Sequence, residues 1–500
     1  MSDPARPLHP PHRPLTELAA WLAAADPSAR AHGDLTGSAT GVTLASQRVL
    51  PGDVYAALSG SRTHGMDYVE SAVDAGAVAV LTDSAGAARA PSGLPVLEVD
   101  APRSLLGRFA AHVYGEPARS LRMLGVTGTQ GKTTTTRLAE SALQRAGVRA
   151  GVIGTVGTRV DAQEIKTALT TPEAPDLHAL FAMMKERGVT ACAMEVSSHA
   201  LVQGRVDGVV FDVAVFTNLG RDHLDFHADV EDYYRAKASL FTPERARLAL
   251  VSADDEHGRR LARETALPVR TFSAAGAGAD WTVADVRPGT EGTTFRVLGP
   301  GVDVEAGVPL PGAFNVSNAL AAVAACAEAG LDPAAVAAGI AAGGGVPGRF
   351  ERVEAGQPFT VVVDYAHKPD AVEAAIRTLR PLTDGRVIVV LGAGGDRDPG
   401  KRPMMGEIAA RLADVLVVTD DNPRGEDPAS IRAAILKAAP GAREIGDRRE
   451  AIEAAVAQLR DGDVLVVAGK GHEQGQIVAG VTHPFDDVAE VSAALGVRHG

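Results

Sequence analysis

Short apolar runs recur along the chain, each bounded by turn residues and followed by a stretch of helical spacing. Such runs read as buried strands alternating with helices. Up to about Pro117 the runs are VYAAL (Val54–Leu58), VAVL (Val78–Leu81) and VLEV (Val96–Val99), and helices are predicted at Leu15–Ala25, Asp67–Ala75 and Ser104–Val113. A second region opens with LRMLGVTG, continues into a helix at Lys132–Gln144, and places strands at Ala150–Thr155, Ala191–Val196, Val213–Thr217, Ala249–Val251 and Val269–Phe272. Helices between several of these imply a mostly parallel sheet. Around Trp281–Glu305 apolar and polar residues alternate between Gly-rich turns, as in an antiparallel insert. A helix at Asn315–Ala329 and a hinge-like GGGVPGRFERV close this region. Beyond it FTVVVDY, RVIVVLGAG, DVLVVTDD and DVLVVAGKG are four buried strands separated by helical stretches, the pattern of a doubly wound unit.

The pattern therefore predicts an α/β protein with three domains, at 15–118, 119–348 and 349–500, behind a tail at 1–14. A chain of 500 residues is too long for one core. The tail, MSDPARPLHPPHRP, lacks the apolar stretch of a signal peptide and is expected to be disordered. Charge narrows the partners: 49 basic and 62 acidic side chains give a net −13, which argues against nucleic acid. A small anionic ligand stays open. Cys192 and Cys326 sit in apolar surroundings and read as buried thiols of a reducing compartment. No apolar run reaches the length of a membrane span, so a cytoplasmic protein without a membrane partner is expected, as a monomer.

The chemistry starts at GVTGTQGKTTTTR (Gly125–Arg137). Strand, Gly-rich turn, Lys-Thr and helix is the arrangement that aims backbone N–H groups at phosphate. Gly128 and Gly131 permit the close approach, Lys132 would reach the phosphates, and Thr133 would ligate magnesium. The usual spacing wants a glycine where Val126 stands, which marks a variant class. LGAGGDR (Leu391–Arg397) only mimics a dinucleotide fingerprint, because its third glycine slot holds Arg397. MEVSSHAL places Glu195 at a strand end, where a carboxylate can hold a hard cation or simply cap the strand. FTNLGRDHLDFH gathers Asp222, His223, Asp225 and His227, for which metal ligation, phosphate contact or a solvated loop all stay open. Lys237 in YYRAKASLF reads, taken alone, as a surface lysine.

Together, GTQGKTT, MEVSSHALVQGRV, TNLGRDHLDFH, YYRAKASLF, PGAFNVSNALAA, PGRFE, DYAHKPD, GGDRDPGKRP, DDNPRGEDP and GKGHEQGQ resemble, in order, segments of the Mur ligases, ATP-dependent amide-forming enzymes of peptidoglycan assembly. The resemblance runs from about Leu15 to Leu495. It implies a first domain for a UDP-sugar, a central ATPase, and a Rossmann-like third domain for an amino acid. ATP and Mg²⁺ are the implied cofactors. Gly128, Thr129, Gln130, Gly131, Lys132, Thr133 and Thr134, with Asn315, Arg349 and Asp364, would bind ATP. Thr133, Glu195, His223 and Lys237 as a carbamate would hold metal. Lys132, Glu195, His223, Lys237 and His367 would form the catalytic set.

The implied substrates are UDP-MurNAc-L-Ala-D-Glu and diaminopimelate. The first would touch Leu44, Ser46, Ser61, Arg62 and Thr63, and with its other end Thr170, Thr171, Ser197, Gln203 and Arg205. Leu169 departs from the family, which can carry Asn there, and Gln130 replaces the commoner Asn. DNPR resembles the diaminopimelate signature, so Asp421, Asn422, Pro423 and Arg424, with Arg397, Gly469 and Glu473, would take that amino acid. Its distal carboxylate, which lysine lacks, suits a guanidinium fork. The reaction would pass through an acyl phosphate, with the third domain closing to exclude water. A lysine-adding relative, a folylpolyglutamate synthase and a regulatory P-loop NTPase are the competing readings.

Overall fold

The computed structural model describes residues 5–499 apart from Ser61, Ala162, Ala277, Thr290 and Glu291. It divides into two compact units. One comprises Met1–Leu219, Tyr234–Phe272 and Ala321–Val336; the other comprises Gly220–Tyr233, Ser273–Leu320 and Ala337–Gly500.

The first unit contains the predicted N-terminal α/β layer. Its strands run in the order Arg30–His32, Val96–Glu98, Ala79–Thr82, Asp53–Ala56, Gly41–Thr43, parallel except for the first pair. Leu15, Leu18 and Leu22, spaced to share one face of the helix Leu15–Ala25, pack with Phe109 and Val113 and with Val54, Leu81 and Leu97 of the strands. The two outer strands escaped the sequence reading, because three residues of mixed polarity carry no periodic signal.

The described part of the N-terminal tail corrects the expectation of disorder. Arg6 forks onto Asp53, at 2.8 and 2.9 Å, and reaches the Tyr114 hydroxyl at 3.0 Å. Arg13–Pro14 pairs with Ser38–Ala39, and the backbone N–H groups of Leu8 and His9 donate to the Glu186 carboxylate. Composition shows that this segment cannot build a core; it does not show that one guanidinium can anchor it.

The same unit holds the strands of the predicted ATPase, in the order Gln163–Ile165, Thr158–Val160, Ala150–Ile153, Ala191–Glu195, Arg122–Thr127, Val213–Phe216, Ala249–Ser252, Val269–Ser273. From Ala150–Ile153 onward all are parallel. The strand leading into the Gly-rich turn is flanked on both sides. Val126 lies opposite Glu195 and Thr127 opposite Phe216, so three strand ends open side by side.

In the second unit the four predicted buried strands form the middle of a sheet. Its order is Glu351–Arg352, Thr360–Asp364, Val464–Ala468, Val387–Leu391, Val415–Val418, Arg443–Glu444, parallel but for the first pair. Helices Arg448–Ala457 and Asp487–His499 cover one face through Ala451, Ile452, Val491 and Leu495. The loops past the carboxyl ends of the strands carry the polar clusters, as doubly wound sheets require. The predicted antiparallel insert is Trp281–Gly289, Gly292–Gly299 and Val302–Val308. Among the described residues no helix is long and apolar enough to cross a membrane.

Candidate active site

The Gly-rich turn is built as its sequence requires. Gly128 and Gly131 have φ of +144° and +86°, and a Cβ on Gly128 would run into the Thr217 hydroxyl. The helix Lys132–Arg145 begins directly after it, with Thr133 and Thr134 buried in its first turn. The Lys132 ammonium folds back to donate to the carbonyls of Gly128 at 2.7 Å and Thr129 at 3.2 Å.

Asn218, which follows a neighbouring strand and was given no role from sequence, braces this turn. Its carbonyl accepts from the Thr129 N–H and its side-chain oxygen from the Gln130 N–H, both at 2.9 Å. Thr217 adds a bond from its hydroxyl to the Gln130 carbonyl at 2.6 Å. Both lie in the segment TNLGRDHLDFH, at the end of the predicted strand Val213–Thr217.

Lys237 contradicts the surface reading that its helix alone suggested. It is 1% exposed, and its ammonium donates to the Gly128 carbonyl at 2.8 Å. A lysine is buried only where something compensates its charge, so this one belongs to the Gly-rich turn.

Glu195, also 1% exposed, accepts from the Thr155 N–H at 2.7 Å and from the Thr155 hydroxyl at 3.1 Å. The Thr155 hydroxyl also lies 3.1 Å from that of Thr170. Thr171 donates to the Glu195 carbonyl at 2.8 Å and accepts from the Ser197 N–H at 3.2 Å. Arg205 donates to the Thr171 carbonyl and to Gln203, and pairs with Glu173 at 2.9 Å. Five residues spread over the sequence, Thr170, Thr171, Ser197, Gln203 and Arg205, thus share one hydrogen-bonded patch beside the strand end at Glu195. In the N-terminal layer Ser46 is buried at the start of a short 3₁₀ turn, Leu44 packs on the core, and Arg62 and Thr63 are exposed. Ser61 lies outside the described residues.

The second unit holds the remaining candidates. Asp364 ends its strand and accepts from the Phe350 N–H at 2.9 Å. Burial pushes its carboxyl up to about 6, against the pull of Arg349 and the backbone N–H groups around it. The Arg349 guanidinium lies over the Tyr365 ring, 4.6 Å from its centre. Asn315 is buried and donates to the Pro311 carbonyl at 2.8 Å, while the neighbouring Phe314 ring packs on Phe350.

His367 donates from Nδ1 to the Tyr365 carbonyl at 2.7 Å. Burial, with the ammonium groups of Lys368 and Lys401, holds its imidazole well below the usual range, so it is neutral. Lys368 pairs with Asp222. Burial would raise the Asp222 carboxyl, yet Lys368 above all, with His223, holds it well below the ordinary value. His223, at φ +52°, is 3.0 Å from Asp222. Arg397 is exposed and stands 3.8 Å from Asp225.

Asp421, Asn422 and Lys470 are buried together. Lys470, whose role sequence reading did not assign, donates to Asn422 at 2.9 Å and lies 3.4 Å from Glu473 and 3.6 Å from Asp421. Asn422 donates to Glu473 at 2.7 Å. Burial and the charge of Asp421 raise the Glu473 carboxyl, with Lys470 opposing. Gly469 has φ +120°, and a Cβ there would sit 2.7 Å from Asp421 Oδ2. Pro423 leads into Arg424, which takes φ +52° and donates to the Gly395 carbonyl at 2.8 Å. Its backbone N–H bonds Ile477 of the hairpin Gly475–Val478/Val481–Pro484. Asp421, Asn422, Arg424, Gly469, Lys470 and Glu473 are therefore one cluster, with two carboxylates and two cations.

Among the described residues no group of three His, Cys, Asp or Glu side chains gathers as a metal site. Thr133 and Glu195 still fit magnesium, which takes one or two carboxylates and completes its shell with phosphate and water. Lys237 as an ammonium does not fit a cation; only a modified, anionic form would.

Three family models match the chain: Mur ligase family, catalytic domain, over residues 38–114; Mur ligase middle domain, over 126–326; and Mur ligase, glutamate ligase domain, over 348–471. A UDP-N-acetylmuramoyl-L-alanyl-D-glutamate–2,6-diaminopimelate ligase of Streptomyces avermitilis is 56% identical over 99% of both chains. A solved structure of a ligase of the same name is 34% identical, with a TM-score of 0.67 over 94% of this chain and 97% of that one. A Mycobacterium tuberculosis folylpolyglutamate synthase solved with ADP and AMPPCP shares the fold, at 22% identity and a TM-score of 0.60 over 73% of this chain and 92% of that one.

Proposed function

Because the chain belongs to the Mur ligase family, we propose that it joins diaminopimelate to UDP-N-acetylmuramoyl-L-alanyl-D-glutamate at the expense of ATP, in peptidoglycan precursor synthesis. Need for ATP supports a cytoplasmic setting. The observation that carries the amino-acid specificity is the cluster around Arg424: carboxylates of Asp421 and Glu473 suit an ammonium, and a guanidinium suits a second carboxylate.

The γ-phosphoryl of ATP passes to the side-chain carboxylate of the D-glutamate residue, releasing ADP. The uncharged diaminopimelate amine then attacks the acyl carbon, the C–N bond forms as the acyl C–O bond breaks, and phosphate departs with the bridging oxygen and that bonding pair, while the proton lost by nitrogen passes to the phosphate or to water. Lys132 and the N–H groups opening its helix neutralise the phosphates where charge develops. Thr133 and Glu195, with Lys237 in carbamate form, would hold magnesium, which supplies further charge neutralisation. Thr170, Thr171, Ser197, Gln203 and Arg205 would orient the acceptor carboxylate, and Arg349 with the buried Asp364 and Asn315 would hold the adenosine end. His367, kept neutral, offers Nε2 as a hydrogen-bond acceptor at pH 7.

The test is ADP release with each substrate omitted in turn. Turnover is expected only when both the UDP-linked dipeptide and diaminopimelate are present. Turnover with neither, or with lysine in place of diaminopimelate at equal kcat/KM, would overturn the reading.

A further inference from the structure

Arg448 opens the helix Arg448–Ala457, directly after its N-cap Asp447. A cation there meets the unfavourable end of the helix dipole, and this one is also 1% exposed. Its compensation is Asp487, equally buried, which accepts from Nε and Nη2 at 2.7 Å each. Two further bonds go to backbone. Nη2 donates to the Ala468 carbonyl at 3.0 Å, and Nη1 to the Asp420 carbonyl at 3.4 Å.

Those carbonyls belong to the peptides that lead into Gly469 and Asp421, each just past the end of a different strand. The two loops meet here: a Cβ on Gly469 would lie 2.7 Å from Asp421 Oδ2 and 3.9 Å from Arg448 Nη2. The guanidinium also faces the charges of Asp421 and Glu473. A buried ion pair is weak evidence of stabilisation, because apolar residues of similar volume often serve as well. What apolar residues cannot do is hold the carbonyls of two strand ends at a fixed separation.

We propose that Arg448, locked by Asp487, is a positioning residue for the amino-acid substrate. It sets the Asp421–Arg424 turn against the Gly469–Glu473 loop, and so fixes the spacing between the groups that grip the two ends of diaminopimelate. This rests on the reading of that cluster given above.

The test uses the full-length enzyme and the double variant Arg448→Met/Asp487→Leu, which leaves no lone buried charge. The KM for diaminopimelate is expected to rise about tenfold or more, with the KM for ATP and for the UDP-linked dipeptide unchanged. Arg448→Lys keeps a charge for Asp487 but loses the fork, and should raise the same KM part of the way. Arg424→Ala is measured alongside. If Arg424→Ala raises the diaminopimelate KM and the folded double variant does not, the positioning role is wrong and the site reading stands. A rise in all three KM values together would likewise overturn it, as a purely structural role. If Arg424→Ala leaves that KM unchanged, the site reading falls and this inference with it. Should the double variant fail to fold, Arg448→Lys decides by the same criterion.

Discussion

Lys132 and Lys237 donate to the same atom, the carbonyl oxygen of Gly128, at 2.7 and 2.8 Å. Two ammonium groups on one acceptor repel each other, and the second is buried. Conversion of Lys237 to a carbamate would replace that repulsion with attraction and place an oxygen anion at the Gly-rich turn. Lys237→Ala and Lys237→Arg are expected to lower kcat by about 10²–10³-fold, the scale of losing one group that stabilises developing charge. Intact mass under mild conditions should show the added mass of one carbon dioxide. A fully active enzyme of unmodified mass would rule the carbamate out.

Arg424 is set by its backbone as much as by its side chain. Its φ of +52° and its bonds to Ile477 and Ala479 hold it against the hairpin. Arg424→Lys keeps the charge but not the planar fork, and should raise the KM for diaminopimelate by about 10–100-fold, near 1.4–2.7 kcal/mol. The KM for ATP should not move, and steady-state kinetics with each substrate varied in turn will show which one responds.

Asp364 makes a pH prediction. Its carboxyl stands at 3.8 in the reference state and is pushed up to about 6 by burial in the folded protein. Between those values the folded protein holds a proton that the unfolded chain has released. Asp364 therefore costs stability as pH rises through this window, fully so above about 6, by an amount on the order of 3 kcal/mol. Urea unfolding of Asp364→Asn against the wild type, at pH 4 and pH 7.5, should show the variant gaining relative stability at the higher pH. An unchanged difference would remove Asp364 as the source.

The N-terminal arm predicts a stability effect far from any chemistry. Asp53 is 1% exposed and owes its compensation to Arg6. Arg6→Ala leaves that carboxylate buried without its partner and should cost about 3–5 kcal/mol. Denaturant unfolding measures it directly; a loss below about 1 kcal/mol would mean that water reaches Asp53 freely.

The long buried strands and the Gly-rich turn were legible because their signals are local: apolar runs between turn residues, and glycines at fixed offsets before Lys132. Short edge strands such as Arg443–Glu444, and the hairpin at Gly475–Pro484, left no comparable pattern. Lys237 shows the limit most clearly. Nothing in YYRAKASLF distinguishes a buried lysine from an exposed one, because its acceptor lies 109 positions earlier. Family resemblance located it, whereas physical reasoning from the local sequence pointed to the surface. Lys470 and Arg448 were hidden for the same reason: their partners come from separate strand ends that only the sheet order brings together.

The slot where a glycine is usually expected holds Val126, and that residue is sheet, paired opposite Glu195. The Gly-rich turn therefore starts late and does not shape itself alone. Its Thr129 and Gln130 amides are pinned by Asn218, 88 positions beyond Gln130. Cut out as a peptide or transplanted into a foreign strand–helix pair, GVTGTQGKTTTTR would keep every glycine and lose its curvature. The shape of the turn is a property of two neighbouring strands, and evolution or design can move it only by moving both.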